Sequence, residues 1–233
     1  MHLHDKVCIV TGAGRGIGRA IARRLTAAGA RVVAAARTAS DLDATVAEAG
    51  AQSGRCLGVV TDVTDSSQVN RLIERTREEF GRIDILINNA GLAPLSPMAS
   101  MTDEQFRQTN AVNIDAVFFA CRAAWPDLSA SRGTIINIAS LAAFDPFPGF
   151  TVYGAAKAWV VLFTKALAAE GRPLGIKVFA VAPGAVETQM LRAAFPDFPV
   201  GQTLPPDAVA AAVEALLDER LQHASGETIC VKS

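Results

Sequence analysis

The stretch Thr11-Gly12-Ala13-Gly14-Arg15-Gly16-Ile17-Gly18 decides the fold of this 233-residue chain. An apolar segment at residues 7–10 precedes it and predicts a strand, and apolar residues after it recur every four positions, as on one face of a helix. In this setting Gly12 permits a tight turn, Gly16 lets the backbone approach a pyrophosphate, and Gly18 lets the helix pack closely on the strand. The helix N-terminus would offer free N–H groups to phosphate oxygens. The stretch predicts a dinucleotide-binding loop made of Gly12, Gly14, Arg15, Gly16, Ile17 and Gly18.

The same alternation of strand and helix continues along the chain. We predict strands at residues 7–10, 31–35, 57–60, 83–87, 134–138, 178–182 and 228–231, with helices between them that include residues 151–170 and 207–220. Most of these strands lack polar alternation, which is typical of a parallel sheet covered on both faces. The predicted class is α/β: one Rossmann-like, doubly wound domain over residues 1–233, with a parallel sheet of about seven strands flanked by helices.

Local signals predict where some helices begin and end. Asp65 with Gln68, and Thr102 with Gln105, have the spacing of N-terminal caps. The long helix that Thr102 opens should end near Pro126, because proline cannot donate the next backbone hydrogen bond.

Composition and charge exclude several classes of function. The formal net charge is −1, so the chain has no basic field for nucleic acid, and it contains no run of about 18 uncharged apolar residues. The N-terminus is too short in apolar residues for a signal peptide, and we expect a cytoplasmic protein that binds no membrane. The three histidines lack ligand spacing, so we expect no metal site, and we expect reduced, buried cysteines. These residues are His2, His4 and His223, and Cys8, Cys56, Cys121 and Cys230.

The chain contains a single tyrosine, Tyr153, and Lys157 follows it by four residues. On a helix this spacing places both side chains on one face. A free phenol has a pKa near 10, and we expect the neighbouring ammonium to lower the pKa of Tyr153 so that it can exchange protons near neutral pH. Tyr153 is therefore predicted to act as acid in a reduction and as base in an oxidation.

Several motifs occur in the order found in one known family. Besides the G-x-x-x-G-x-G loop, the chain has Asn88-Asn89-Ala90-Gly91 after the fourth predicted strand, Ser140 ahead of Tyr153-x-x-x-Lys157, and Pro183-Gly184 with Thr188 beyond it. Together they cover essentially the whole chain and resemble the short-chain dehydrogenase/reductase family.

The resemblance implies a fold, an activity and a set of roles. Tyr153 would donate the proton, Ser140 would assist the oxyanion, Lys157 would hold the nicotinamide ribose, and Asn113 would order a water that passes protons to Lys157. Asn88 is expected to brace the sheet. The cofactor site would further include Asp62, Val63, Asn89, Ala90, Gly91, Tyr153, Lys157, Pro183, Gly184, Val186 and Thr188. The resemblance also implies a homotetramer or homodimer.

The end of the second predicted strand bears on the choice between NAD and NADP. It reads Ala34-Ala35-Ala36-Arg37 and offers no carboxylate for a ribose 2′-hydroxyl. Arg37 and Arg15 could instead bind a 2′-phosphate, which predicts NADP(H), although each could also be a solvated surface charge. Asp41 and Asp43 lie too far along the chain for the usual ribose acid.

Two aromatic segments are expected to border the nicotinamide end of the cleft. One lies between Ser140 and Tyr153, and the other is a proline-rich probable substrate loop at residues 189–206, in which Arg192 could bind a charged substrate group. Their large apolar residues are Phe144, Phe147, Phe150, Met190, Leu191, Phe195 and Phe198. They could equally be core or subunit contacts.

The predicted function is an NADP(H)-dependent oxidoreductase that interconverts an alcohol with a ketone or aldehyde bearing an apolar or aromatic body. The alternatives are an NAD-dependent secondary-alcohol dehydrogenase and a dinucleotide-sensing regulator without catalysis.

Overall fold

A single parallel sheet organises the protein in the computed structural model, which describes residues 3–50 and 55–233, excluding the side chain of Arg55. The described residues give seven strands in the order β3-β2-β1-β4-β5-β6-β7, all parallel. The strand order reverses beside β1, and the crevice at the carboxyl ends of β1 and β4 is where such sheets bind ligands. The strands are β1 Val7–Thr11, β2 Arg31–Ala36, β3 Arg55–Val60, β4 Ile85–Asn88, β5 Thr134–Ile138, β6 Lys177–Pro183 and β7 Thr228–Val231.

Helices cover both faces of the sheet. The first core packs α1, α2 and α8 on one face, and the second packs α3, α5 and α6 on the other. The central strands β1, β4 and β5 are buried along their whole length, which explains their continuous apolar sequence. The helices are α1 Gly16–Ala27, α2 Ala39–Gly50, α3 Ser66–Phe80, α4 Asp103–Asn110, α5 Ala116–Ser131, α6 Thr151–Gly171, α7 Gln189–Ala194 and α8 Pro206–Leu216.

The predicted strands and caps agree with the structure apart from shifts of one or two residues at some strand ends. Asp65 accepts hydrogen bonds from the N–H groups of Ser67 and Gln68, and Thr102 with Gln105 forms a complete capping box. The α/β fold with a parallel seven-stranded sheet is therefore confirmed. The last long helix ends at Leu216 rather than near residue 220, and a 3-10 segment, Glu219–Ala224, follows it.

The expected end of a long helix at Pro126 was wrong. Instead α4 is followed by a π-helical segment, Ala111–Asp115, and α5 then runs through Pro126 to Ser131. Ala124 and Leu128, on either side of the proline, are fully buried against the sheet. Their packing outweighs the backbone hydrogen bond that proline removes.

The longest helix would pass a length and composition test for a membrane span. The helical residues Thr151–Leu174 are long and apolar enough to cross a membrane, but 44% of the residues in their apolar 18-residue stretch are buried inside the protein. Because α6 packs on β6 and contributes Val160, Leu167 and Ala168 to the second core, it serves as a core helix here.

The cysteines only partly follow the prediction. All four are free, and Cys8 and Cys121 are buried, but Cys56 is half-buried and Cys230 is exposed on the last strand. Burial raises the pKa of Cys121 to about 12 and that of Cys56 to about 11, so these two thiols stay protonated. Within the described residues no group of three or more potential ligands forms a metal site. His2 lies outside those residues.

Candidate active site

The glycine loop joins β1 to α1 at the carboxyl edge of the sheet. Gly12 has φ +64° and Gly16 has φ +55°, in the left-handed region that favours glycine. A Cβ on Gly18 would lie 2.2 Å from the carbonyl oxygen of Gly12, so only glycine lets the helix approach the turn. A Cβ on Gly16 would lie 3.2 Å from the methyl group of Thr188. These glycines leave a cradle that side chains would fill, as a bound pyrophosphate requires.

Hydrogen bonds of Asn89 and Thr11 connect this loop to the segment after β4. The side-chain amide of Asn89 donates to the carbonyl oxygens of Thr11 (2.9 Å) and Gly12 (3.2 Å). The hydroxyl of Thr11 accepts from the N–H groups of Asn89 and Ala90 at 3.0 and 3.1 Å. Asn88 instead donates to Asn137 and contacts Cys121, which agrees with its expected role inside the sheet.

The N-terminus of α1 suits an anion. Among the described residues, no side chain caps this end, and the first turn carries no acidic residue. The backbone N–H groups and the helix dipole are therefore available to phosphate oxygens. Arg15, at the cap position, is exposed and donates to the side-chain oxygen of Gln189 at 2.8 Å.

We expect the cofactor ribose to lie beyond the end of β2. Arg37 is exposed there, beside the half-buried Ala36. Asp41 comes closer to the loop than its sequence position suggested, because a Cβ on Gly14 would lie 2.9 Å from the Cβ of Asp41. Asp62, after β3, accepts from the N–H (3.0 Å) and the hydroxyl (2.8 Å) of Thr64.

Asn113 lies in the π-helical segment and is fully buried. Its amide donates to the carbonyl oxygens of Leu92 (2.7 Å) and Thr109 (2.8 Å), so these two backbone groups hold the side chain in place. Its Oδ1 also faces the site: a Cβ on Gly91 would lie 3.3 Å from that oxygen and 3.6 Å from Nζ of Lys157. Oδ1 also accepts from the N–H of Leu92 at 3.4 Å. π-helical segments often occur at functional sites, and this one carries Asn113.

Tyr153 lies near the start of α6 and is half-buried. Burial raises the pKa of its phenol, and the hydrogen bond to the hydroxyl of Ser140 works in the opposite direction. Ser140 follows β5 and also accepts from the N–H of Ala142 at 3.2 Å, where it caps a 3-10 turn. Ser140 and Tyr153 are therefore together, as predicted.

Lys157 is buried and lies 5.8 Å from the centroid of the Tyr153 ring. Its Nζ donates to the carbonyl oxygen of Ile138 at 2.9 Å. Burial lowers the pKa of Lys157 to about 8. The expected lowering of the pKa of Tyr153 by Lys157 was wrong for this structure: burial raises that pKa, Ser140 is the group that opposes the rise, and the ammonium of Lys157 donates to a backbone carbonyl.

The predicted substrate loop is more regular than expected. Its first six residues form α7, capped by Thr188, and a backbone bridge between Val186 and Leu204 joins its two ends. We call residues 189–204 the lid. The lid places Phe195 5.6 Å from Phe147 and 5.8 Å from Phe150, measured between ring centroids.

These rings form one aromatic wall beside the phenol. Phe150 is buried and lies 5.1 Å from Tyr153, and Phe198 lies 6.4 Å from Phe195. The two predicted aromatic segments are thus brought together at Tyr153. Phe147, within the wall, is exposed on one side, and Phe144 and Met190 are exposed outside it.

Arg192 does not serve as the free anchor for a charged substrate that the sequence suggested. Its guanidinium donates to both carboxylate oxygens of Glu187, at 2.7 and 2.5 Å, so its charge is already paired. Glu187 and Gln189 were missed at the sequence level. Both flank Thr188 within the recognised motif, and this adjacency is the only local signal for them.

Comparisons with known proteins identify the family of this chain. Residues 6–198 match the family model described as short chain dehydrogenase. The chain is 36% identical over 240 residues to 3-oxoacyl-(acyl-carrier-protein) reductase FabG of Escherichia coli K12, covering 99% of this chain and 97% of that protein. It is 41% identical over 191 residues to 2-(R)-hydroxypropyl-CoM dehydrogenase of Xanthobacter autotrophicus, covering 80% of this chain and 76% of that protein.

Solved structures show the same likeness. The 3-ketoacyl-(acyl-carrier-protein) reductase of Brucella melitensis, complexed with NADH, has a TM-score of 0.90 at 32% identity and covers 99% of this chain and 98% of its own. Levodione reductase has a TM-score of 0.92 at 29% identity, covering 98% and 96%. Because the family model matches residues 6–198 and the FabG relative is 36% identical over nearly the whole chain, this chain belongs to the short-chain dehydrogenase/reductase family and is an oxidoreductase of that family.

Proposed function

We propose that the protein is an NADP(H)-dependent carbonyl reductase for ketones or aldehydes with an apolar or aromatic body. The observation that carries this proposal is the Ser140–Tyr153 pair, which lies under the aromatic wall and beside the buried Lys157. A proton donor, a hydroxyl for the oxyanion and an apolar surface are thereby gathered at one place.

The proton step uses this chain's own groups. When bound, the nicotinamide cofactor supplies the hydride to the carbonyl carbon. Tyr153 donates its phenolic proton to the carbonyl oxygen, and Ser140 donates a hydrogen bond to the same oxygen. Because burial raises the pKa of Tyr153, the phenol holds its proton at neutral pH, and the hydrogen bond with Ser140, which opposes this rise, favours release of that proton to the substrate oxygen. Lys157 would leave the carbonyl of Ile138 to hold the ribose hydroxyls, and Asn113 would order a water beside it.

The preference for NADP(H) is supported by charge. Arg37 and Arg15 are both exposed at the ribose side of the glycine loop, and β2 ends without a carboxylate. A guanidinium fork matches a 2′-phosphate dianion, so both arginines are proposed ligands for it.

Two contacts and two likenesses favour the alternative, an NAD-dependent dehydrogenase of a secondary alcohol. Arg15 already bonds to Gln189, and Asp41 lies against Gly14. One structural neighbour was solved with NADH, and the relative from Xanthobacter autotrophicus is named as a dehydrogenase. A dinucleotide-sensing regulator is the third alternative, and the assembled proton-transfer groups speak against it.

Binding and turnover together test the proposal. The purified protein would be titrated with NADPH and with NADH by fluorescence, and then screened against ketones and aldehydes by loss of NADPH absorbance. We expect tighter binding of NADPH and turnover of aromatic or branched ketones. Equal or tighter binding of NADH would refute the cofactor assignment, and binding without any turnover would favour the regulator.

We also propose that the enzyme is a cytoplasmic homodimer or homotetramer. An apolar face on α5 and α6 supports self-association: Leu162 is 69% exposed, Phe118 is 41% exposed, and Trp159 stacks on Phe163 at 4.5 Å. Light scattering should report two or four chains, and Leu162→Glu should shift the protein toward monomer. A monomeric wild-type protein would contradict this assignment.

A further inference from the structure

Arg192 and Glu187 form a paired fork at the base of the lid, and we call this pair the latch. Arg192 donates from Nε to Oε1 of Glu187 at 2.7 Å and from Nη2 to Oε2 at 2.5 Å. This is the two-pronged geometry in which guanidinium and carboxylate bind most strongly. Each group shifts the pKa of the other: the hydrogen bond from Arg192 lowers the pKa of Glu187, and the hydrogen bond to Glu187 raises that of Arg192.

The third nitrogen of the guanidinium holds the far side of the lid. Nη1 of Arg192 donates to the carbonyl oxygens of Pro196 (3.2 Å) and Phe198 (2.5 Å). One side chain therefore ties the turn at residues 195–198 to Glu187. Because guanidinium is planar, these contacts restrict both the position and the tilt of that turn.

Glu187 is fixed in turn by the end of the lid. Its backbone N–H donates to the carbonyl oxygen of Leu204 at 2.9 Å, and its Oε2 accepts from the hydroxyl of Thr203 at 3.2 Å. The carboxylate is thus a stationary anchor, and Arg192 connects it to the turn.

The turn carries Phe195 into the aromatic wall. The rings of Phe195 and Phe150 meet edge to face at 72° and 5.8 Å, and Phe150 lies 5.1 Å from Tyr153. Edge-to-face contacts depend on orientation, so a displaced turn would move Phe195 away from Phe150. Two ring contacts, Phe195 with Phe150 and Phe150 with Tyr153, therefore connect the latch to the phenol. In the part of the chain that the structure describes, no hydrogen bond or ion pair joins the latch to Tyr153 or Ser140.

We propose that Glu187 and Arg192 are positioning residues that set the aromatic wall and thereby select planar, ring-bearing carbonyl compounds over small acyclic ones. This inference rests on the proposed function, in that it assumes a carbonyl substrate at Tyr153. The latch acts on how tightly the apolar body is held. The proton step stays with Tyr153 and Ser140.

The lone tyrosine permits a test that needs no turnover. Growth on 3-fluorotyrosine places a single ¹⁹F label at Tyr153, because the chain has one tyrosine. Arg192→Met keeps the aliphatic stem and removes the fork. We expect a changed ¹⁹F shift in this variant, because Phe195 no longer holds Phe150 against the labelled ring. An unchanged shift would overturn the proposal.

A second arginine offers a matched control. Arg220 makes the same kind of fork on Asp218, from Nε (3.0 and 3.1 Å) and Nη2 (2.6 Å), in the 3-10 segment before β7. Arg220→Met should leave the ¹⁹F shift of Tyr153 unchanged. If both variants move it equally, the effect is not specific to the latch and the proposal fails.

Selectivity is measured by binding as well as by rate. With NADP⁺ present, acetophenone titrated against the ¹⁹F signal should bind about tenfold more weakly to Arg192→Met than to wild type, while butanone binding stays the same. In turnover, KM for acetophenone should rise with little change in kcat, and Arg192→Lys should recover part of the loss. Equal losses for both ketones, or a loss confined to kcat, would refute the latch as a determinant of specificity.

The two proposals fail in different ways. Weaker acetophenone binding in Arg192→Met without any turnover by wild type would refute the proposed function and uphold the latch. Turnover by wild type with unchanged binding in the variant would uphold the function and refute the latch.

Discussion

The cofactor side and the substrate side of the cleft are built by different means. At the glycine loop, position depends on the backbone: Gly12 and Gly16 adopt positive φ, Gly18 lies against the Gly12 carbonyl, and Asn89 holds the turn. At the lid, position depends on side chains from distant segments that meet in the aromatic wall. The backbone of the glycine loop fixes the position of one bound group. At the lid, a change in one side-chain contact can move a ring and so change which substrates bind.

The largest effect is expected from a substitution that removes the proton donor and leaves both the glycine loop and the aromatic wall in place. In Tyr153→Phe the ring stays in the wall but the proton donor is lost, so kcat should fall by about 10²–10⁴-fold. Affinity for NADPH, measured by fluorescence titration, should remain within about twofold of wild type, since the loss of a single hydroxyl leaves the glycine loop intact. Turnover close to wild type would show that Tyr153 does not carry the proton.

The next largest effect is expected in a comparison between a closely packed glycine, Gly18, and an unpacked one, Gly50. Gly18→Ala forces a Cβ to within 2.2 Å of a carbonyl oxygen, and we expect a loss of roughly 1–3 kcal/mol in the free energy of unfolding together with weak NADPH binding. Gly50→Ala is the control, because a Cβ there meets nothing within 4 Å. Urea denaturation of both proteins would check this. Equal stability of the two variants would contradict the tight packing of α1.

The pH dependence of stability tests the burial of Lys157, which lies between the glycine loop and the aromatic wall. The folded pKa of Lys157, about 8, lies below the ordinary value of 10.5, so the unfolded chain binds more protons between these values and stability should rise with pH there. From about pH 7.5 to about pH 9.5, wild type should gain about 2 kcal/mol relative to Lys157→Met. The comparison with the variant cancels the opposing titration of the thiols. Parallel pH profiles of the two proteins would show that the ammonium is not destabilised by burial.

The smallest expected effect distinguishes the two cofactors. Arg15→Ala should weaken NADPH binding by about tenfold and leave NADH binding nearly unchanged, because only the former carries a 2′-phosphate. Arg23→Ala, on the far side of α1 and paired with Asp207, is the control. An equal loss for both cofactors would mean that Arg15 acts through Gln189 and the lid rather than through the phosphate.

The sequence predicted the cofactor side more fully than the substrate side. Glycines, the asparagine motif and the cap residues act within a few positions along the chain, so their spacing alone indicates a turn and a helix start. Pro126 shows the limit of such local signals, because buried neighbours on α5 outweigh the missing hydrogen bond. The latch shows another limit, since Glu187 and Arg192 look like ordinary surface charges until the lid is folded.

The sequence by itself determined the parallel sheet, the place of the glycine loop, and the pairing of a lone tyrosine with a lysine one helical turn later. These depend on short-range periodicity and backbone freedom. Only the tertiary structure decided that Ser140 is the side chain that opposes the rise in the pKa of the phenol, that Lys157 donates to the carbonyl of Ile138, and that Phe195 packs on Phe150. Each of these contacts joins segments that are distant in sequence, and their distances follow from packing, which no local pattern records.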